Sequence, residues 1–379
     1  MILKKVIFYL TALAGIILAG IYLFSNNVPI TGNPIDALFD NEKIVLNIIG
    51  KTGSNSGFFE DARTEFMKQN KNIELNYIGL GTFEAIDYII DDNDVDAWLS
   101  ADESAVDMLR SEYSKGHGGK DIILEASPIV TSPLVFVGWE ERLNKLGNID
   151  IKMLNNIVSG SKSWNELGGD PNWGFINFSH TNPVDSNSGM QFITLLIYDY
   201  YNQTGISKKE LKVEDITNNN VMEYIKAFEK NTAKQIDGSG KFIDTMIQFG
   251  PSKYDMGVIY EYYALANIQN AQGRWGRLKV IYPNPTIWSN RPFIILNKQE
   301  LNSKKIEALK NFRDFLLSED IQKKAIQEGY RPANTDVANL SYMEKEFGQF
   351  GFRKDISSSV PTPSVEVIES IRNLIKRVQ

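Results

Sequence analysis

From Ile44 onward, an apolar run of strand length is followed three times by a small or polar loop and a helical pattern. This succession confines the region to an α/β sheet. Ile44 to Ile49 reads as a buried parallel strand, Gly53 to Ser56 as its loop, and Phe58 to Asn70 as a helix with Phe59, Ala62, Phe66 and Met67 on one face. Ile73 to Ile78 and Phe83 to Ile90 form the next pair around Gly79-Leu80-Gly81-Thr82. Ala97-Trp98-Leu99 then runs into Ser100-Ala101-Asp102-Glu103, which caps a third helix. Small and polar residues thus stand at the carboxyl ends of three successive strands, the edge where open α/β sheets bind ligands.

Further on the pattern changes. Ile129 to Trp139 is too long and too β-branched for a hairpin arm, and reads as a strand that leaves one domain and enters the next; Arg291 to Leu296 reads as the return. The 379 residues are too many for one ordinary core. We therefore expect a first lobe over 43–135 and 291–379 and a second over 136–290. In the second lobe, helices are expected near Gln191–Tyr201 and Asn219–Asn231, and a strand over Asp255–Tyr260. Ser303 to Leu317 and Glu319 to Glu328 read as amphipathic helices on the first lobe, and the tail ends in a last helix.

His180-Thr181-Asn182-Pro183-Val184-Asp185-Ser186-Asn187-Ser188-Gly189-Met190 leads straight into a strongly apolar helical run. A helix start leaves backbone N–H groups without intrahelical partners, and the helix dipole makes them a site for an anionic or carbonyl-bearing ligand. Ser186, Asn187 and Ser188 add side-chain donors and acceptors. A plain N-cap explains the same residues, but Gly53-Ser54-Asn55-Ser56-Gly57 places similar chemistry before an earlier helix.

The formal net charge of -7, without a long Lys/Arg run, argues against a nucleic-acid surface. With no cysteine there is no disulfide, thiolate metal site, Cys nucleophile or acylated Cys; with two histidines, His117 and His180, a multi-His metal centre is excluded. Lys4 and Lys5 precede an uncharged apolar run from Val6 to Phe24, which at about 1.5 Å per residue spans roughly 28 Å, near the bilayer core. It reads as an uncleaved membrane anchor over 1–25 with a polar tether over 26–42. A cleaved secretory signal is the alternative, and both place the globular part outside the cytoplasm.

Several segments taken in order resemble the type II periplasmic solute-binding proteins, in particular the bacterial extracellular solute-binding group. They are Gly53 to Ser56, Asp96 to Asp102, Thr131-Ser132-Pro133-Leu134-Val135, Thr181 to Gly189, Met256 to Glu261, Phe315 to Gln322, and Gly329-Tyr330-Arg331-Pro332. The resemblance covers nearly all of the chain after about residue 43. It implies an α/β fold of two lobes joined by crossover strands, with a ligand clamped in the cleft by hinge closure. Within the family the pattern looks most like the molybdate- and sulfate-binding branch. That likeness implies ligand contacts from Ser54, Asn55, Ser56, Thr82, Ser100, Ala101, Ser188, Gly189 and Tyr260, to which the polar turn adds Ser186 and Asn187. The turn is more polar than the oxyanion pattern, and Glu261 follows the Tyr.

Other residues read more simply. Asp102 suits a helix cap, Glu261 a surface or capping place, and Arg331 a structural anchor. His180 suits a structural hydrogen-bonder without an obvious carboxylate partner, and His117 an exposed loop. Trp139, Trp164 and Trp173 suit packing. Arg291 faces the cleft or makes an interlobe ion pair. The leading reading is a membrane-tethered, non-catalytic solute-binding protein, without cofactor or metal, that holds a small polar solute, an oxyanion slightly ahead of sugar, amino acid or peptide. Its expected role is transport or sensing, with an assembly subunit as an alternative, and its expected partners are the solute, a membrane transporter and, through the N-terminal helix, the membrane. A protein- or wall-binding module with a degenerate cleft is the second reading. A hydrolase built on Ser188 and His180 is the third, with unconvincing spacing.

Overall fold

The computed structural model describes residues 42–50, 57–91, 94–271, 273–299, 301–337 and 340–378. Strand β1 (Ile44–Gly50), helix α1 (Gly57–Gln69), β2 (Ile73–Gly79), α2 (Thr82–Ile90), β3 (Ala97–Leu99) and α3 (Glu103–Gly116) follow one another. β1 lies between β2 and β3, parallel to both. Its Leu46, Ile48 and Ile49 are buried, as a strand covered by helices requires. α1 turns Phe58, Phe59, Ala62 and Phe66 inward at helical spacing. Burying a phenylalanine of this kind contributes about 2 kcal/mol.

β4 (Ile123–Trp139) is 17 residues long and belongs to two sheets. It is followed by α4 (Glu140–Leu146), α5 (Ile151–Ser159), β5 (Phe178–His180), α6 (Asn187–Gln203), α7 (Val213–Ile216), α8 (Asn219–Glu229), α9 (Ser239–Phe249), β6 (Met256–Tyr260), α10 (Glu261–Asn267) and β7 (Leu278–Ile281). β8 (Thr286–Leu296) then runs back antiparallel to both β3 and the first part of β4. The last part of β4, from Leu134, pairs instead with β6 and β7. Two long strands therefore connect the lobes. Both begin earlier than the apolar runs suggested. Glu125 and Ser127 interrupt the hydrophobic pattern of β4, and Ser289 and Asn290 that of β8, while the ladder between the strands continues.

After β8 come α11 (Ser303–Leu316), α12 (Glu319–Gln327), the short β9 (Arg331–Pro332) against β4, α13 (Ser341–Phe347), β10 (Ser359–Val360) against β8, and α14 (Val365–Val378). Phe312 of α11 meets Phe59, Phe66 and Phe293 at centroid distances of 5.8, 5.1 and 5.7 Å, closing the first-lobe core. α14, expected with the first lobe, packs on α6, α7 and α8 as well as on α3. Its Val367, Ile368, Ile371, Leu374 and Ile375 form the apolar face that does so. α6 is buried on every side from Asn187 to Tyr198, because α5, α8, β6 and α14 surround it.

β6 begins at Met256, one residue after its expected start at Asp255, which is buried. Its carboxylate pairs with Arg142 and accepts bonds from Trp164 Nε1 at 2.9 Å and Asn177 N at 2.8 Å. Among the described residues no helix is long and apolar enough to cross a membrane. The expected anchor over 1–25 and all of the tether over 26–42 except residue 42 lie outside the described residues.

Candidate functional site

The carboxyl ends of β2 and β3 face the starts of α6 and α9 across a cleft with about 500 Å³ of unfilled space, its open mouth included. Small-molecule sites commonly have this size. On the first-lobe side Thr82 opens α2 and lines the cleft, with Leu80, Trp98, Leu99 and Ala101. Ser100 does not line it. At the strand end its side chain turns into the protein, fully buried, and donates to Asp102 O at 3.0 Å. Asp102 is the cap of α3: Oδ1 accepts from Ala105 N at 3.1 Å and Ser104 Oγ at 2.7 Å. It also reaches across the cleft. Its Oδ2 accepts from Asn187 Nδ2 at 2.5 Å and from Gln191 Nε2. Burial pushes the Asp102 carboxyl up from its ordinary value, and the bond from Ser104 opposes that, followed by the one from Asn187.

On the second-lobe side Ser186, Asn187 and Ser188 line the cleft at the start of α6. Ser188 Oγ lies 2.8 Å from Thr181 Oγ1, 3.2 Å from Ser186 Oγ and 2.9 Å from Ser239 Oγ, so four hydroxyls form one network. Ser239 begins α9 and, with Gly238, also lines the cleft. Asn187 Nδ2 donates a further bond to Tyr260 Oη at 2.8 Å. Gly189 does not line the cleft. A Cβ there would overlap the Thr181 carbonyl oxygen, so its glycine lets α6 approach the preceding turn. Gly189→Ala is expected to lower stability by about 1–3 kcal/mol, as overpacking does. Denaturant unfolding checks this, and an unchanged midpoint would show that the turn can move aside.

The rest of the lining is aromatic and cationic: Tyr260, Tyr262, Tyr263 and Arg291. Arg291 lies 5.2 Å over the Tyr262 ring and donates from Nη1 to Tyr262 Oη at 2.5 Å. Burial raises the hydroxyl pKa of both Tyr260 and Tyr262 well above the ordinary value, so each is a neutral donor. The cleft-facing place of the two expected for Arg291 is the one observed. Among the described residues no carboxylate pairs with it. Trp98, Leu99, Tyr262, Tyr263 and Ser239 were not expected at the site. The run Tyr260-Glu261-Tyr262-Tyr263 at the end of an apolar strand was the available signal. Ser54, Asn55 and Ser56 lie outside the described residues.

Three other expectations change. His180 has a carboxylate partner: Nε2 lies 2.8 Å from Glu229 Oε1, and Nδ1 lies 2.9 Å from Thr181 O. With both nitrogens engaged in the core, it is not placed as a base for Ser188. Glu261 is buried and held by Arg331, not at the surface. His117 is half-buried, its ring stacked on Tyr113 at 3.8 Å. Among the described residues no group of three or more His, Asp or Glu side chains could hold a metal ion.

Two α/β lobes, two crossover strands and a cleft at the sheet edge define a periplasmic-type solute-binding fold. The sequence profile of the bacterial extracellular solute-binding proteins matches residues 50–331, and the chain belongs to that family. Solved structures with this fold include the sulfate-binding protein SubI from Mycobacterium tuberculosis H37Rv, with 14% identity, TM-score 0.57, and coverage of 84% of this chain and 94% of that one. Iron-bound HitA from Pseudomonas aeruginosa has 14% identity and TM-score 0.57, covering 88% and 99%. A periplasmic thiamin binding protein has 15% identity and TM-score 0.62, covering 89% and 96%. No curated protein matches the chain.

Proposed function

We propose that this protein holds a small, polar, negatively charged solute between its lobes on the outer side of a membrane and delivers it to a membrane transporter, without catalysis. One convergence carries the reading. The start of α6, with its Ser186–Asn187–Ser188 donors, and the buried guanidinium of Arg291 line the same interlobe cleft. Helix-start N–H groups and a desolvated guanidinium both favour an anion. Family membership and the sulfate, iron and thiamin proteins of the same fold support a transport role. The apolar run Val6 to Phe24 supports tethering by the N-terminus.

The test is thermal unfolding of the full-length protein against oxyanions, organic acids, sugars and amino acids. A solute at a hundredfold excess over its dissociation constant adds about 2.7 kcal/mol of stability. Ser188→Ala removes the centre of the hydroxyl network and is expected to weaken binding about tenfold or more. A protein whose midpoint ignores every solute class would not be a solute-binding protein of this kind.

A further inference from the structure

At each of the three helices that follow β1, β2 and β3, one backbone N–H at the start is taken by a carboxylate of the chain itself. Phe58 N, in α1, donates to Glu328 Oε2 at 2.5 Å. Gly81 N, at the cap of α2, donates to Glu84 Oε2 at 3.2 Å. Ala105 N, in α3, donates to Asp102 Oδ1 at 3.1 Å. A doubly charged tetrahedral ion is best held by helix starts from both lobes, all contributing free N–H groups. Here, among the described residues, internal acids take one donor at each of these three helix starts.

The second lobe is arranged differently. α6 has no acidic residue in its first turn, and the side chain of its cap, Ser186, accepts no bond from the helix's backbone N–H groups. Beside it stands Arg291, 6% exposed, with Nε lacking any hydrogen-bond partner. A guanidinium buried without a carboxylate is costly, and an incoming carboxylate would supply both the missing charge and the missing acceptor. The remaining walls are apolar or aromatic, Leu80, Trp98 and Leu99 from one lobe and Tyr260, Tyr262 and Tyr263 from the other. Apart from the tyrosine hydroxyls, such surfaces have little to offer the oxygens of a bare inorganic ion, but they bury a hydrocarbon or planar body well. Two carboxyl groups also stand here: Asp185, exposed at the mouth and bonded by Asn182, and Asp102, buried and taken up by the side chains of Asn187 and Gln191, which leaves the backbone N–H groups at the start of α6 for the solute.

Resting on the solute-binding reading above, we infer that the solute is an organic acid: its carboxylate meets Arg291 and the start of α6, and its apolar or planar body lies between Trp98 and the tyrosines. The experiment titrates the full-length protein with benzoate, 4-hydroxyphenylacetate and hexanoate. Sulfate, molybdate and phosphate are run beside them, with benzamide and maltose as neutral probes, all at matched ionic strength. At least one carboxylate is expected to raise the unfolding midpoint. Benzamide should bind about a hundredfold more weakly than benzoate, since it lacks the charge-assisted bond. Arg291→Gln should lose the carboxylate response and Arg291→Lys should keep part of it. The acid and amide probe the same contact in the unaltered protein, so the result stands even if Arg291→Gln folds poorly. A response to sulfate or molybdate at lower concentration than to any carboxylate would overturn the organic-acid assignment and leave the solute-binding reading intact. Equal binding of benzoate and benzamide, or a response to maltose alone, would also overturn it. Indifference to every probe would overturn both.

Discussion

Replacing Glu261 with alanine is expected to destabilise the protein by about 3–5 kcal/mol, the cost of leaving one partner of a buried ion pair alone. Glu261 is the first residue of α10 and is completely buried. It holds Arg331 by two bonds, Nε to Oε2 at 2.7 Å and Nη2 to Oε1 at 2.9 Å, and also accepts from Tyr282 Oη. Arg331 continues outward: Nη1 donates to Lys354 O at 2.8 Å and Nη2 to Arg353 O at 2.6 Å. One guanidinium therefore ties the end of β6, the strand β9 beside the crossover and the C-terminal segment. Alanine would leave that cation buried without a carboxylate, facing carbonyls and the Trp288 and Phe352 rings. Denaturant midpoints of E261A, R331M and the double variant E261M/R331M check the claim. The double variant should recover much of the loss, because two apolar side chains leave no orphaned charge. A loss below about 1 kcal/mol in E261A would show that water reaches Arg331 freely.

Elements whose signal lies in contiguous residues were legible in the chain. β1, β2 and β3 each pair an apolar run with a polar loop, and the start of α6 is marked by small polar residues before an apolar helix. Features made by topology were not. Ser100 and Ala101 are neighbours in sequence, yet one points into the protein and the other lines the cleft, since adjacent side chains at a strand end face opposite ways. Glu229 reaches His180 from α8 and Arg331 reaches Glu261 from β9, and neither pairing has a local mark. The tyrosine-rich run at the end of β6 was visible, but Ser239 belongs to a helix whose own sequence is ordinary, and it meets those tyrosines only in the folded chain. Arg291 was recognisable as a candidate, but only its surroundings distinguish a cleft cation from an ion-paired one.

The second large effect is expected at Asp102, where one carboxylate caps α3 and joins the lobes. Asp102→Ala removes the cap of Ala105 N and the acceptor of Asn187 and Gln191 together, and should cost about 2–4 kcal/mol and favour an open cleft. Asp102→Asn should be much milder. Its oxygen can keep the α3 cap, while its amide can donate to Gln191 Oε1, which is buried without a partner. The two variants also separate the pH dependence. Because burial raises the Asp102 carboxyl above its ordinary value of 3.8, the folded protein holds that proton more tightly than the unfolded chain. The associated stability is fully present below the ordinary carboxyl pKa and is lost as pH rises through the raised value. Three half-buried carboxyls with raised values, Glu112, Asp199 and Glu328, contribute in the same direction. The difference between wild type and D102N, measured by unfolding across the acid range, isolates Asp102. That difference should shift against the wild type as pH rises. Small-angle scattering of D102A at neutral pH reads the second consequence, a larger radius of gyration. A flat difference curve, together with an unchanged radius for D102A, would show that the lobes are held together without this carboxylate.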